Sequence, residues 1–382
     1  MNPIITHLCL VSAQPVPNLT PLLDPASAPE RVILLVSEDM QPRAGWLEQV
    51  LRPRGLRVSR WPIDQPWDIE GIQTRVLELL EQEQGAVQAK SLALNATGGT
   101  KPMSIAAYEA FRAYDLPIFY VHPEQDRLIW MHPNTEPSLE LADRIRLEPF
   151  LLAHGAKSIG ELRRTSPLAG QRHIATEIIA NIDHFSKSIA TLNWLAAGAE
   201  RSLRSCKIDH DRGALAQLID LFEEGGLLHR EQGALRFPDE AARFFVNGGW
   251  IEGYVFDLLR DLRSQGAPIQ DMACGVNVER QQRGRAVPNE LDLALLRDNR
   301  LHIIECKTKR FRGNGEDSPG AEALYKLDSL RDLMGGLQAR AMLVSYQNLP
   351  DHDRTRAADL GIRVCAGVQL RRLREQLKDF IG

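Results

Sequence analysis

Charged side chains interrupt two apolar runs near the C-terminus at regular spacing. The first run reads Asn289-Glu290-Leu291-Asp292-Leu293-Ala294-Leu295-Leu296 and the second Leu301-His302-Ile303-Ile304-Glu305-Cys306-Lys307. The turn Arg297-Asp298-Asn299-Arg300 joins them. Side chains two apart in a strand share a face, so Glu290 goes with Asp292 and Glu305 with Lys307. A short turn makes the strands antiparallel neighbours, which lets Asp292 and Glu305 converge with Lys307 beside them. Converging carboxylates repel each other, and a cation offsets that cost. Hard oxygen donors favour Mg²⁺ or Mn²⁺, and such an ion polarises a phosphodiester and acidifies water. Lys307 would orient or activate that water and meet the charge that builds around phosphorus. The plain alternative is an edge hairpin with a solvated Glu305–Lys307 ion pair. Thr308, Lys309, Arg310 and Arg312 crowd next to the site, where positioning phosphate is their natural role. Lys326 is a further candidate to face the cleft, and residues 313–320 read as a gate loop beside it.

A second constellation lies near the N-terminus. The run 91–95 passes straight into Ala96-Thr97-Gly98-Gly99-Thr100-Lys101, which opens a helix. Glycines allow a close backbone approach, and a helix N-terminus offers free N–H groups to phosphate. Thr97, Thr100 and Lys101 add hydroxyls and a cation. The segment is neither a Walker A loop nor GxGxxG, so ATP hydrolysis is not supported. The run 4–11 ends in Ser12-Ala13-Gln14-Pro15-Val16-Pro17-Asn18, and the run 31–37 in Ser37-Glu38-Asp39. Three polar loops on one rim predict a ligand site.

The elements that must position these residues follow from periodicity. Strand-like runs at 4–11, 31–37, 56–61, 91–95 and 117–122 alternate with helical spacing at 44–52, 69–84 and 101–114, which predicts a doubly wound α/β domain over 1–150. Its ligand should sit beyond the carboxyl ends of the strands. Residues 151–248 are helical through 173–197 and 213–222. Glu224-Gly225-Gly226 then stops the helix, and a short hairpin follows at 229–237, as in a winged helix. Residues 249–382 return to mixed α/β, with a helix at 250–262, strands at 271–280, 290–296 and 301–307, a helix at 321–334, a strand at 339–345, a helix at 351–360 and a strand at 362–366.

The chain of 382 residues exceeds one ordinary core, and 43% hydrophobic with 25% charged residues is a globular composition. Net charge is only −4, but it is unevenly spread. Residues 250–382 hold 21 Lys/Arg against 19 Asp/Glu, and residues 280–312 hold nine against four, a basic patch of the kind that attracts phosphate. The five cysteines, Cys9, Cys206, Cys274, Cys306 and Cys365, form no CxxC pair, so they read as reduced core residues rather than a zinc site or disulfide framework. Neither a leader nor a membrane-length apolar run is evident, so a cytoplasmic protein without membrane contact is expected.

The C-terminal residues resemble the PD-(D/E)xK nuclease pattern, with Asp292 matching the first acid and Glu305 and Lys307 the second element. Glu290 stands two before Asp292, and the Pro-Asp dipeptide of the pattern is missing. The resemblance implies a further metal-holding acid from the first helix of the domain, for which Glu252 in Trp250-Ile251-Glu252-Gly253-Tyr254 is the candidate. The N-terminal half resembles CARF domains, the Rossmann-like sensors of cyclic oligoadenylate in type III CRISPR immunity. Ser12, Gln14 and Asn18 in one motif, and Asn95, Thr97, Gly98, Gly99, Thr100 and Lys101 in the other (through Pro102-Met103), carry that likeness. The order of CARF domain, helical winged-helix-like linker and restriction-endonuclease-like domain is similar to the CRISPR ancillary nucleases with one CARF and one nuclease domain per subunit. The resemblance implies an allosteric activator, cyclic tetra-adenylate, bound across a homodimer. It also implies cleavage of DNA (single-stranded or supercoiled), and in some members RNA, with Mn²⁺ or Mg²⁺. A ring with two-fold symmetry suits an isologous interface, and closing the loops on it would shift the population towards a cutting arrangement.

A different class of function competes. A ligand-sensing transcription regulator would use residues 200–245 as a DNA-binding winged helix, but would leave the Glu-x-Asp and Glu-Cys-Lys strands without purpose. A third possibility, degradation of the ligand by the sensor, is left open by the sequence.

Overall fold

The computed structural model describes residues 3–122, 124–166, 169–208, 212–282, 285–309 and 319–382. Arg310, Arg312 and most of the expected gate loop, residues 313–318, lie outside the described residues.

Arg31–Ser37 explains the first sheet. Val32, Leu34 and Val36 face one way and Ile33 and Leu35 the other, and all five are buried. A strand apolar on both faces needs helices on both. Helices Val16–Leu23 and Gln41–Leu51 cover one face, and Ile69–Gln82 and Lys101–Ala113 the other. Five strands run parallel in the order Arg57–Ile63, Arg31–Ser37, Thr6–Leu10, Leu92–Asn95, Ile118–His122, and Arg127–His132 and Leu139–Glu140 extend the edge antiparallel. The chain winds outward one way from Thr6–Leu10 and then the other way from Leu92–Asn95. The crevice beyond those two strand ends is therefore the topological switch point, where doubly wound sheets take ligands.

The second sheet has six strands in the order Arg363–Ala366, Arg340–Ser345, Arg300–Lys307, Arg285–Arg297, Asp271–Gln282, Ala156–Ser158. Strands Arg285–Arg297 and Arg300–Lys307 pair antiparallel with Arg297 opposite Arg300. Their turn is thus two residues, Asp298 and Asn299, with φ of 47° and 52°. A two-residue hairpin turn needs such left-handed backbone to match strand twist, and Asp and Asn tolerate it best after glycine. Strand Arg285–Arg297 begins earlier than periodicity suggested, because its polar first half is held by pairing with Asp271–Gln282 rather than by burial.

The linker segment contributes helices Arg172–Ala180, Ile182–Gly198 and Ala214–Glu224 and a small hairpin, His229–Glu231 with Ala234–Arg236. Its apolar residues share one core with helix Trp250–Ser264 and one face of the second sheet. The other face packs, through helices Leu147–Ala153 and Pro319–Gly335, in a core that includes Leu47, Val50 and Leu34 of the first sheet's layer. Four cysteines are buried and Cys206 is exposed, a departure from the all-core reading; none is bonded. No helix among the described residues is long and apolar enough to cross a membrane.

The hairpin turn also ties the halves together. The buried Asn299 amide donates to Asp126 at 3.0 Å and Asp143 at 3.2 Å and accepts from Gln270 at 2.7 Å. Burial pushes the Asp126 carboxyl up to about 7; the Asn299 hydrogen bond opposes this and the charge of Asp143 adds to it. Replacing Asn299 with Ala strands these partners and should cost roughly 1–3 kcal/mol, seen as a lower melting temperature. The sign of the pH effect follows from the raised value. Stability from Asp126 is full below its usual 3.8 and is lost as pH rises through about 7. Asp126→Asn should therefore flatten the decline in melting temperature between acid and neutral pH.

Candidate active site and sensor pocket

Extending the hairpin register by one step from Leu293 opposite Ile304 sets Asp292 opposite Glu305. Asp292 accepts a hydrogen bond from the Cys306 N–H at 2.7 Å. The Lys307 ammonium lies 2.5 Å from Glu305 Oε1 and 3.8 Å from Asp292 Oδ2, and Lys326 stands 4.0 Å from the same Glu305 oxygen. Glu305 is only 3% exposed, so this is not the solvated ion pair of an edge hairpin. Its Oε2 is buried with no hydrogen-bond partner among the described residues.

A glycine kink brings a third element in. Gly275, with φ of 56°, lies opposite Asp292 in the register, between the pairs Cys274–Leu293 and Val276–Leu291. The first pair packs in the core on one side of the sheet and the second in the core on the other. The strands thus exchange faces at this point, and Glu252, in the first turn of helix Trp250–Ser264, looks onto the same place. Burial, then the charges of Asp292 and Glu290, push the Glu252 carboxyl up to about 9. Burial, then Glu305, push Asp292 up to about 7 against the pull of Lys307. The Lys307 ammonium, despite burial, is held above its usual value by Asp292 and Glu305. Glu252 and Glu290 line a cavity of ≈390 Å³ with Gly275, Asn277, Arg163 and Phe244.

The four acids expected from sequence therefore share one electrostatic cluster. Among the described residues no three His, Cys, Asp or Glu side chains stand arranged to hold a metal ion, and the cation touching both Asp292 and Glu305 is Lys307. The donor chemistry nevertheless suits a hard divalent ion: all the donors are carboxylate oxygens, they repel one another, and one buried oxygen is unpartnered. Thr308 departs from its expected phosphate role. It is 6% exposed, and its hydroxyl is 2.9 Å from the Asn193 amide of the linker. Arg163 and Phe244 went unnoticed in the sequence, where nothing marks them; they reach the cleft from segments far from the hairpin.

At the switch point, Ser12, Gln14, Thr97, Gly98 and Gly99 line a cavity of ≈630 Å³. Three other expected residues, Asn18, Asn95 and Thr100, are bonded behind that lining instead. Buried Asn95 donates to the Pro17 carbonyl at 2.9 Å and to Asn18 Oδ1 at 3.1 Å, and Asn18 donates to the Leu10 carbonyl at 3.0 Å. These bonds lock the two rim loops together. The Thr97 hydroxyl donates to Asn95 at 2.6 Å and accepts from the Val121 N–H at 2.8 Å. Thr100 caps helix Lys101–Ala113 and donates to the Pro66 carbonyl at 2.7 Å, and Lys101 is exposed on the first turn, outside the cavity lining. Gly98 is required by a close approach, since a Cβ there would stand 2.1 Å from the Leu10 carbonyl oxygen. About a third of this cavity's lining comes from an unexpected place, the second sheet's turn Asp298-Asn299-Arg300 together with Gly335, Leu337 and Gln338. A Cβ on Gly336 would stand 2.4 Å from Gln14 Oε1, so the two halves touch at the rim.

The carboxylate cluster sets a pH dependence. Glu252 contributes stability while protonated, and loses it as pH rises through about 9. In chelator, the melting temperature of the wild type should fall between neutral pH and pH above 9, while Glu252→Gln should fall less. Parallel melting curves would contradict this placement of Glu252.

Comparison with known proteins agrees with the fold of both halves. A family model for the Card1 CARF domain matches residues 6–150, and one for a Card1-like endonuclease domain matches residues 239–381. Among solved structures, protein VC1899 from Vibrio cholerae is 33% identical with a TM-score of 0.89, over 99% of this chain and 98% of its own. Can2 from Sulfobacillus thermosulfidooxidans, solved in complex with cyclic tetra-adenylate, is 29% identical with a TM-score of 0.82, over 99% of each chain. A type III CRISPR defence DNA nuclease activated by cyclic oligoadenylate is alike in fold, at 20% identity and a TM-score of 0.56 over 90% of this chain and 46% of its own. Among curated proteins nothing matches. Sensor and endonuclease models in this order, with a relative of this identity along the whole chain, show that the protein belongs to the Card1-like family of CARF nucleases of type III CRISPR systems.

Proposed function

We propose that this protein is a metal-dependent endonuclease of the cytoplasm that cuts DNA, RNA or both when cyclic tetra-adenylate fills the switch-point cavity of a homodimer. Residues 1–150 act as sensor, 151–248 as linker and 249–382 as nuclease. The observation that carries the reading is the Asp292–Glu305–Lys307 cluster around the buried Glu305, with Glu252 and Glu290 close enough to perturb it. A regulator that only binds DNA has no use for such a cluster.

Asp292 and Glu305 would hold Mn²⁺ or Mg²⁺, with Glu252 as a further ligand. That ion, when bound, supplies Lewis acidity and charge neutralisation at the scissile phosphate. Lys307 holds a water for in-line attack and meets negative charge growing on the non-bridging oxygens. Glu290, at the open edge of the cleft, accepts a proton from that water. Arg163 lies where a phosphate would enter.

The ligand assignment draws on the Can2 complex and on the cavity itself. Ser12, Gln14, Thr97, Gly98 and Gly99 offer polar atoms and backbone at the carboxyl ends of two parallel strands. Each protomer would read one half of a two-fold symmetric ring. The signal has a short route. The ligand would press on Asp298-Asn299-Arg300, and the two strands leaving that turn carry Asp292 and Glu305. Five residues of strand span only about 17 Å. The ligand must bind the cutting arrangement more tightly by several kcal/mol to switch the population.

Cleavage of labelled single- and double-stranded DNA and RNA, with each cyclic oligoadenylate and Mn²⁺ or Mg²⁺, tests this. Asp292→Ala and Lys307→Ala should each lower activator-dependent cleavage by roughly 10²–10³-fold or more, and chelator should abolish it. Undiminished cleavage by either variant would overturn the assignment of roles.

A further inference from the structure

A third cavity, of ≈630 Å³, lies outside both sites described above. Its lining is Lys187, Ala190, Thr191, Asn193, Trp194, Ala197 and, from the C-terminal domain, Lys309. Six of these seven residues come from one helix, Ile182–Gly198. That helix buries Phe185, Ile189, Leu192, Leu195 and Ala196 in the linker core. Trp194 points the other way and is 66% exposed. An indole on the outer face of a helix that is already anchored adds nothing to the fold. Around it, Ala190, Thr191 and Ala197 are small, so the ring face stands clear in an open trough. Lys187 and Lys309 are both exposed, and neither has an ion-pair partner among the described residues.

The trough is fixed to the reaction centre. Asn193, next to Trp194, is buried and meets the buried Thr308 hydroxyl at 2.9 Å. Thr308 lies between Lys307 and Lys309 in sequence, and Gly248 packs on it so closely that a Cβ would stand 2.2 Å from its hydroxyl. Movement of the helix relative to the Lys307 strand is therefore restrained, and a molecule lying against Trp194 would be held in a set position relative to Lys307.

We propose that Trp194, Lys187 and Lys309 form a binding trough for single-stranded nucleic acid that leads substrate into the nuclease centre, with one base stacked on the Trp194 indole and flanking phosphates on the two lysines. An exposed aromatic ring between cations is the chemistry of single-strand recognition, because every unpaired base offers a π-face and the backbone offers charge. A duplex keeps its base faces stacked inside and has nothing to offer the indole. The inference rests on the nuclease reading but is separable from it, since none of the three side chains belongs to the carboxylate cluster.

Anisotropy of labelled oligothymidylate, oligouridylate and a blunt DNA duplex, titrated with the full chain in chelator so that nothing is cut, provides the test. Trp194→Ala should weaken both single strands by roughly 5- to 150-fold, the worth of one stacked base, and Trp194→Phe should restore most of that loss. Lys187→Ala and Lys309→Ala should each flatten the salt dependence of binding. Melting temperatures should match the wild type, as the substituted groups are exposed. In cleavage, Trp194→Ala should raise KM with kcat little changed. Single-strand binding unaffected by Trp194→Ala, while Lys307→Ala still abolishes cleavage, would overturn the trough and leave the nuclease reading standing. Equal weakening of duplex and single strands would also overturn it. So would a change of oligomeric state in Trp194→Ala by light scattering, which would assign the face to a second copy of the chain. If the wild type cuts no nucleic acid under any condition, the nuclease reading itself fails.

Discussion

Two carboxylates held opposite each other in an antiparallel pair, one of them almost fully buried, are the constraint around which the C-terminal half is organised. The carboxylates of Asp292 and Glu305 repel each other across the pair, and Lys307, 3.8 Å from one and in contact with the other, offsets part of that repulsion. The Asp292 carboxyl rises to about 7 and Glu252 to about 9 because burial and like charge act together. Frustration of this kind costs stability and is common at active sites. The register that creates it depends on a turn of two residues. A slip of one residue would send Asp292 to the opposite face from Glu305, and the left-handed backbone of Asp298 and Asn299 guards against that slip.

The same turn is the point of contact with the sensor. Asp298, Asn299 and Arg300 line the switch-point cavity, while the Asn299 amide bonds Asp126 and Asp143 beneath it. The residues that set the register of Asp292 and Glu305 are thus walls of the switch-point cavity. Coupling between distant sites requires an element with two arrangements that both sites bias. The hairpin between Asp292 and Glu305 joins the two sites directly, since its turn lines one and its strands carry the residues of the other. The linker adds a second constraint through Asn193 and Thr308, so both the turn end and the carboxylate end of the hairpin are held by neighbouring segments.

Much of this was legible in the residues. Alternation of charge and apolar side chains placed Glu290, Asp292, Glu305 and Lys307 on two paired strands, because strand periodicity and turn length fix which side chains meet. The apolar run Arg31–Ser37 announced a strand covered on both faces, and the loops after Thr6–Leu10 and Leu92–Asn95 fell at the switch point as the winding order requires. What stayed hidden is of one kind. Asn18, Asn95 and Thr100 look like ligand-binding residues, yet they satisfy backbone groups in tight loops, a demand that only three-dimensional neighbours reveal. Thr308 was drawn inward by Asn193, 115 positions away in the chain. Arg163, Asn299 and Trp194 carry no local signature, since their roles come from elements brought together by packing. The glycine at 275 is similar: its positive φ marks a kink opposite Asp292, and periodicity alone does not register a kink.

Calorimetric titration of Mn²⁺ into the chelator-treated full chain measures whether a divalent cation is held between Asp292 and Glu305, as proposed. One site per chain is expected in the wild type. That site should be lost in Glu305→Gln, with the fold retained as judged by a cooperative melt. Equal Mn²⁺ affinity and stoichiometry in wild type and Glu305→Gln would contradict it.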